Sequence, residues 1–123
     1  MAPAAIKPRD CDRGPASEAI DREHLARMTF GDESFARELL ELFDRQAVNL
    51  LARMREGDAG TAALAHTLKG SAGGIGAWGV ARGAEACERA AGGSAAERGL
   101  ALEKLALAVD EAHAAIAEIL AAA

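Results

Sequence analysis

The sequence predicts an all-α protein, an antiparallel up-down four-helix bundle with a short additional N-terminal helix, and three observations carry that expectation. Helix formers dominate: of 123 residues, 32 are Ala and 13 Leu, against three Val, five Ile and three Thr, the residues that suit a pleated surface. Apolar residues recur at spacings of three and four in long stretches, so that each stretch has one apolar stripe. Glycines and capping residues divide these stretches at short intervals. With three Phe, one Trp and no Tyr, the core must be aliphatic. A chain of this length suits one domain and can bury roughly two thirds of its unfolded surface without disulfides or metal.

The elements follow in order. Residues 1–19 read as a flexible N-terminal segment, because Pro3, Pro8, Gly14 and Pro15 interrupt any periodicity. Residues 20–123 form the bundle domain. Asp21 can cap a short helix that runs to about Met28, and Gly31 with Asp32 marks a turn and a second cap. In the long helix that follows, Phe35, Leu39, Leu42, Phe43, Ala47, Leu50, Leu51 and Met54 form the stripe, and Gly57 ends it. Asp58 can cap a third helix carrying Leu64, Leu68, Ala72 and Ile75, broken at Gly76. A fourth runs from about Ala77 to Ala91. Gly92 and Gly93 separate it from a fifth, whose start, Ser94 to Glu97, has the S-x-x-E pattern of a capping box. Its stripe is Leu102, Leu105, Val109, Ala112, Ile116, Ile119 and Leu120. Connections of two to five residues imply antiparallel neighbours.

Charge and composition exclude several functions. A formal net charge of -5, with no local run of Lys or Arg, leaves no footprint for a nucleic-acid backbone. No stretch approaches the roughly 20 apolar residues of a membrane span, and the N-terminus lacks an apolar signal core. The expectation is a soluble, cytoplasmic monomer. Cys11 and Cys87 form neither a metal spacing nor a disulfide framework and are expected to be reduced.

The third helix holds the residues that bear chemistry. In projection at about 100° per residue, Leu64, Ala65, Leu68, Ala72 and Ile75 share one arc, and His66 lies about 200° from Leu64. His66 therefore points to solvent. Its neighbours one turn away are Ala62, Ala63, Lys69 and Gly70, with Gly73 two turns on. Gly70 and Gly73 together cost about 2 kcal/mol relative to Ala in a helix, so something other than local stability must account for them. An exposed imidazole is partly neutral near neutral pH and can act as a nucleophile. Lys69 would neutralise a phosphoryl group on it, and the missing Cβ of Gly70 would let a second active site approach. A surface histidine without a role is the plain alternative, and the cleared surroundings of His66 speak against it.

The run Ala65-His66-Thr67-Leu68-Lys69-Gly70-Ser71-Ala72, followed by Ile75-Gly76-Ala77, closely resembles the histidine phosphotransfer (HPt) domains of multistep two-component phosphorelays. The H-x-x-K-G core is joined by the Ser after it, by the I-G-A hinge and by the helix order, and the resemblance spans about residues 20–121. It implies a four-helix bundle in which His66 is the phosphoacceptor, Lys69 stabilises the phosphate and Gly70 gives clearance to a docking receiver domain. Ala62, Ala63 and Gly73 would complete the docking patch. In that family the histidine takes a phosphoryl group from a receiver aspartate, in some cases that of a hybrid histidine kinase, and passes it to the receiver of a response regulator. Such a protein is a carrier and not an enzyme. It binds no ATP and needs no cofactor of its own, and the Mg²⁺ belongs to the receiver. Gly79 and Gly83 on the fourth helix depart from the family pattern, and Gly73-Gly74 puts the end of the third helix in doubt by a turn.

Other signals are weaker. Gly74-Ile75-Gly76-Ala77-Trp78-Gly79 fits G-x-G-x-x-G, but a dinucleotide site needs a strand before it and none is predicted. Lys69-Gly70-Ser71 lacks the upstream spacing of a P-loop. His113 is expected at the boundary or core of the last helix, His24 in surface packing, and Cys87 as a small core residue. Glu33, Glu38, Glu41 and Asp44 read as a solvated face. Two rival functions remain: a non-catalytic helical adaptor that docks a partner through the same patch, and a metal-dependent bundle enzyme, for which no inward Glu and Glu-x-x-His ligand set exists.

Overall fold

The computed structural model describes residues 19–57 and 60–122, and every regular element among them is an α-helix. We number them α1 (Arg22–Met28), α2 (Glu33–Arg55), α3 (Thr61–Ile75), α4 (Trp78–Ala90) and α5 (Ala95–Ala121). The expected flexibility of the N-terminal segment, the fate of Cys11 and the cap at Asp58 lie outside the described residues.

Local chemistry sets the helix ends. The Asp21 and Asp32 carboxylates accept from the backbone N–H groups of His24 and Phe35, each at 3.0 Å, and so cap α1 and α2. The α1–α2 turn holds both Phe30 and Gly31 in the left-handed region. α3 starts one residue after Gly60, which occupies the N-cap and has no side chain to offer. Its C-cap is Gly76, at φ +83°. The paired glycines 73 and 74 do not shorten the helix, which continues to Ile75. α5 opens with the reciprocal box: Ser94 Oγ accepts from Glu97 N–H, and the Glu97 carboxylate accepts from Ser94 N–H.

α3 packs most extensively on α4 and α4 on α5, while α2 lies against both α3 and α5; α3 and α5 share no comparable contact. The core between them is aliphatic and rich in alanine: Leu40, Leu68, Leu105, Ile116 and Val80 are the largest fully buried side chains of the long helices, and Ala65, Ala72, Ala84 and Ala115 are buried completely. In α2 the buried stripe is Leu40, Phe43, Ala47, Leu50, Leu51 and Met54. Leu42, expected on that stripe, is instead 55% exposed, and Phe35 is exposed as well. Leu42 lies about 200° from Leu40 in projection, so one helix cannot bury both in the same core.

Gly83 explains its own presence. A Cβ there would sit 3.2 Å from both the Cα and Cδ1 of Leu105, so the glycine lets α4 approach the α5 backbone closely. Nothing in the packing requires Gly79, whose Cβ would make only ordinary contacts with Arg82 and Ala108.

α1 is fastened to the α3–α4 corner. Asp21 N–H donates to the Gly76 carbonyl at 2.9 Å, and Trp78 Nε1–H donates to the Asp21 carboxylate at 2.9 Å. Burial pushes the Asp21 carboxyl up, but the bonds it accepts from Trp78 and from the His24 backbone N–H, with nearby positive charge, outweigh it and hold the group below its usual range. His24 does pack at the surface as expected, tilted against Trp78 with ring centroids 4.9 Å apart. Its Nε2 lies 3.0 Å from the Gly73 carbonyl, which can only accept, so Nε2 carries hydrogen. Among the described residues, no helix is long and apolar enough to cross a membrane.

Candidate functional site

The outer face of α3 presents His66 as its periodicity predicts: the side chain is 67% exposed, while Leu64, Ala65 and Leu68 beside it in sequence face the core. Ala62, Ala63 and Gly70 are exposed around it. A Cβ on Gly70 would meet no atom within 4 Å, so packing inside the molecule does not require glycine there. Gly73 differs. It is half-buried, its carbonyl holds His24, and a Cβ on it would lie 3.9 Å from Trp78. It forms the edge of the cleared surface, where α1 rises.

The decisive partner of His66 comes from the next helix. Glu88 follows the buried Cys87 on α4, and fully buried Ala65 and Ala84 belong to the core that joins the two helices. The Glu88 carboxylate therefore reaches the α3 face. One oxygen, Oε2, lies 3.0 Å from His66 Nδ1; the other, Oε1, lies 3.4 Å from Lys69 Nζ. Desolvation pushes the Glu88 carboxyl up, but hydrogen bonds from His66 and Lys69 outweigh it and hold the group below the usual carboxylate range. An ionised carboxylate can only accept, so His66 Nδ1 carries the hydrogen. In its neutral form the ring then keeps its lone pair on Nε2. Lys69 is about one-third exposed, with its ammonium held at the carboxylate that also holds the ring.

Sequence reasoning brought His66, Lys69, Ala62, Ala63 and Gly70 to one surface, and the structure places them together. It missed Glu88, which is 22 residues from His66 and shares no local spacing with it. A projection of α4 would have flagged it as the acid next to the buried row Val80, Ala84 and Cys87.

The other expected residues also have places. Cys87 is buried, and desolvation pushes its thiol up, away from reactivity. Of the two positions expected for His113, boundary or core, the structure gives it the boundary. Its side chain is 59% exposed and its Nδ1 lies 2.7 Å from an Asp44 carboxylate oxygen, because at its angle on α5 it faces the seam with α2. Asp44, read as part of a solvated acidic face, is correspondingly half-buried and occupied. Among the described residues, no group of three His, Cys, Asp or Glu side chains could hold a metal ion.

Comparison with known proteins returns no match: no protein-family model, no curated protein and no solved structure resembles the chain closely enough to assign it.

Proposed function

We propose that this protein is a histidine phosphotransfer carrier, and the observation that carries the reading is the Glu88 carboxylate bridging Nδ1 of the largely exposed His66 and Lys69 Nζ. In this reading, α2 to α5 form the antiparallel up-down four-helix bundle, with α1 across one end. The ring of helix contacts and the short connections support that topology.

His66 Nε2 attacks the phosphorus of a receiver's aspartyl phosphate. The N–P bond forms as the P–O bond to the aspartate breaks, and the aspartate leaves as a free carboxylate. The Mg²⁺ that such a displacement needs belongs to the receiver. Glu88 acts on the ring from behind: it accepts from Nδ1–H, orients the imidazole and balances the positive charge that develops when Nε2 is phosphorylated. Lys69 turns from Glu88 to the phosphoryl oxygens. Attack by a second receiver's aspartate on the phosphohistidine reverses the same steps, so no proton need leave Nδ1. The small residues at positions 62, 63 and 70 allow the two active sites to approach without a barrier of side chains. We also infer a cytoplasmic monomer whose partners are receiver domains.

The adaptor reading uses the same patch without chemistry. It leaves the fixed tautomer and the paired ammonium without a purpose, which is why the carrier reading is preferred. Phosphorylated receiver domain with Mg²⁺, mixed with this protein, should yield an acid-labile, alkali-stable phosphoramidate. His66→Gln should abolish it. Receiver binding with no phosphoryl transfer from a panel of receivers supports the adaptor; label retained in His66→Gln rejects the site.

A further inference from the structure

α5 carries a second apolar face. Its buried row is Ala101, Leu105, Val109, Ala112 and Ile116. On the opposite side, Leu100, Leu107, Ala114 and Ala121 recur every seven residues, and all four are exposed, Leu100 at 55% and Leu107 at 64%. A seven-residue row drifts by only about 20° per repeat on an α-helix, so it stays within one narrow strip of the surface. α5 packs on α4 and α2 but not comparably on α3, so this strip points away from the helix that bears His66. A lone exposed leucine needs no explanation; two in register on a strip completed by alanines mark an interaction face.

The flanks say what covers it. Glu103 and Asp110 border the strip on one side, Glu111 and Glu118 on the other, and Lys104 is the single cation. All five are exposed, and none forms an ion pair among the described residues. A second copy fits poorly. Antiparallel pairing about Leu107 places Lys104 beside Glu111 but Glu103 beside Asp110; parallel pairing places Lys104 beside Glu103 but Glu111 beside Asp110. Each gain is cancelled by a like-charge contact, and a net charge of -5 adds repulsion.

We propose that the outer face of α5 docks a basic amphipathic helix of a partner protein, with apolar residues at seven-residue spacing and Lys or Arg on both flanks. The leucines would seat between the partner's apolar side chains, and the acidic flanks would select the partner by charge. This docking is separate from the phosphotransfer patch and does not rest on its assignment.

Two synthetic helical peptides with the same leucine repeat, one flanked by Lys and the other by Glu, serve as probes for the full chain. Amide chemical-shift mapping and calorimetry at low and high salt read the result. The Lys-flanked peptide should bind, shift amides of residues 100–114 and leave those around His66 unmoved. Its affinity should fall in high salt, and by about tenfold or more in Leu107→Glu, which introduces a charge into the contact. Circular dichroism of that variant should match the parent, because Leu107 is exposed. Absence of binding, equal binding of the Glu-flanked peptide, shifts mapping elsewhere, or unchanged affinity in Leu107→Glu would each overturn the proposal. So would sedimentation of the free protein as a dimer that Leu107→Glu dissociates, since a second copy would then be the occupant.

Discussion

Gly70 separates stability from function in a single side chain. It lies inside α3, exposed, and a Cβ on it would meet no atom within 4 Å. Replacing Gly by Ala in a helix interior gains about 1 kcal/mol, and with no internal clash Gly70→Ala should show that gain in full. For a domain of this size, that is a rise in Tm of about 4 °C. If the glycine exists to clear the surface for a docking receiver, the same substitution must weaken function. Overfilling a close-packed contact costs about 1–3 kcal/mol, equivalent to about 5- to 150-fold in affinity. Gly70→Ala should fall near the low end of that range and Gly70→Gln near the high end. Both variants should be followed by thermal unfolding, by receiver titration and by the rate of phosphoryl transfer to His66. Loss of stability in Gly70→Ala would mean that the glycine is required inside the molecule. A stabilised Gly70→Gln with unchanged receiver affinity would remove the clearance role altogether.

Three further outcomes are expected. Glu88→Ala should slow transfer on the order of tenfold, the scale of losing a partner that orients a functional imidazole, whereas Glu88→Gln, whose amide oxygen can still accept from Nδ1–H but carries no charge to balance the phosphorylated ring, should fall between Glu88→Ala and the parent; equal rates in both variants would remove the orienting role. Gly76→Ala places a methyl 2.8 Å from the Asp21 carbonyl oxygen at φ +83°, and should destabilise by about 2–4 kcal/mol through the left-handed backbone and the lost α1 bonds, with a change in Trp78 fluorescence; a loss below about 1 kcal/mol in urea unfolding contradicts this. The Asp44 carboxylate raises the His113 pKa above its ordinary 6.5, so the pair's contribution is fully present below that value and is lost as pH rises through the raised one. Because the imidazole is largely exposed, the contribution stays under about 1 kcal/mol. The stability difference between the parent and His113→Gln should shrink as pH increases, and a difference that does not vary with pH would refute the pairing.

Much of the candidate site is legible in the order of the amino acids. His66 faces outward because Leu64, Ala65 and Leu68 are bound to the core, and that follows from helical periodicity alone. The caps at Asp21, Asp32, Gly76 and Ser94 could likewise be read directly, since each is an interaction across three or four residues. The stripe on α2 was less legible: closely spaced leucines at 39, 40 and 42 offer more than one apolar arc, and which arc is buried depends on how the helix is rotated against its neighbours.

By itself, then, the sequence determined the helices, the ends set by Asp21, Asp32, Gly76 and Ser94, and the outward imidazole with a lysine and a glycine beside it, because these depend on spacings within one helix. Tertiary structure decided what lies behind that imidazole. Glu88 reaches His66 only because two helices meet through small buried side chains; His24 finds the Gly73 carbonyl, Trp78 finds Asp21, and His113 finds Asp44 across 49, 57 and 69 residues of chain. Such contacts depend on the rotation and separation of packed helices, and no local pattern encodes them. Gly83, without meaning as a residue in a helix, acquires one when Leu105 is set against it.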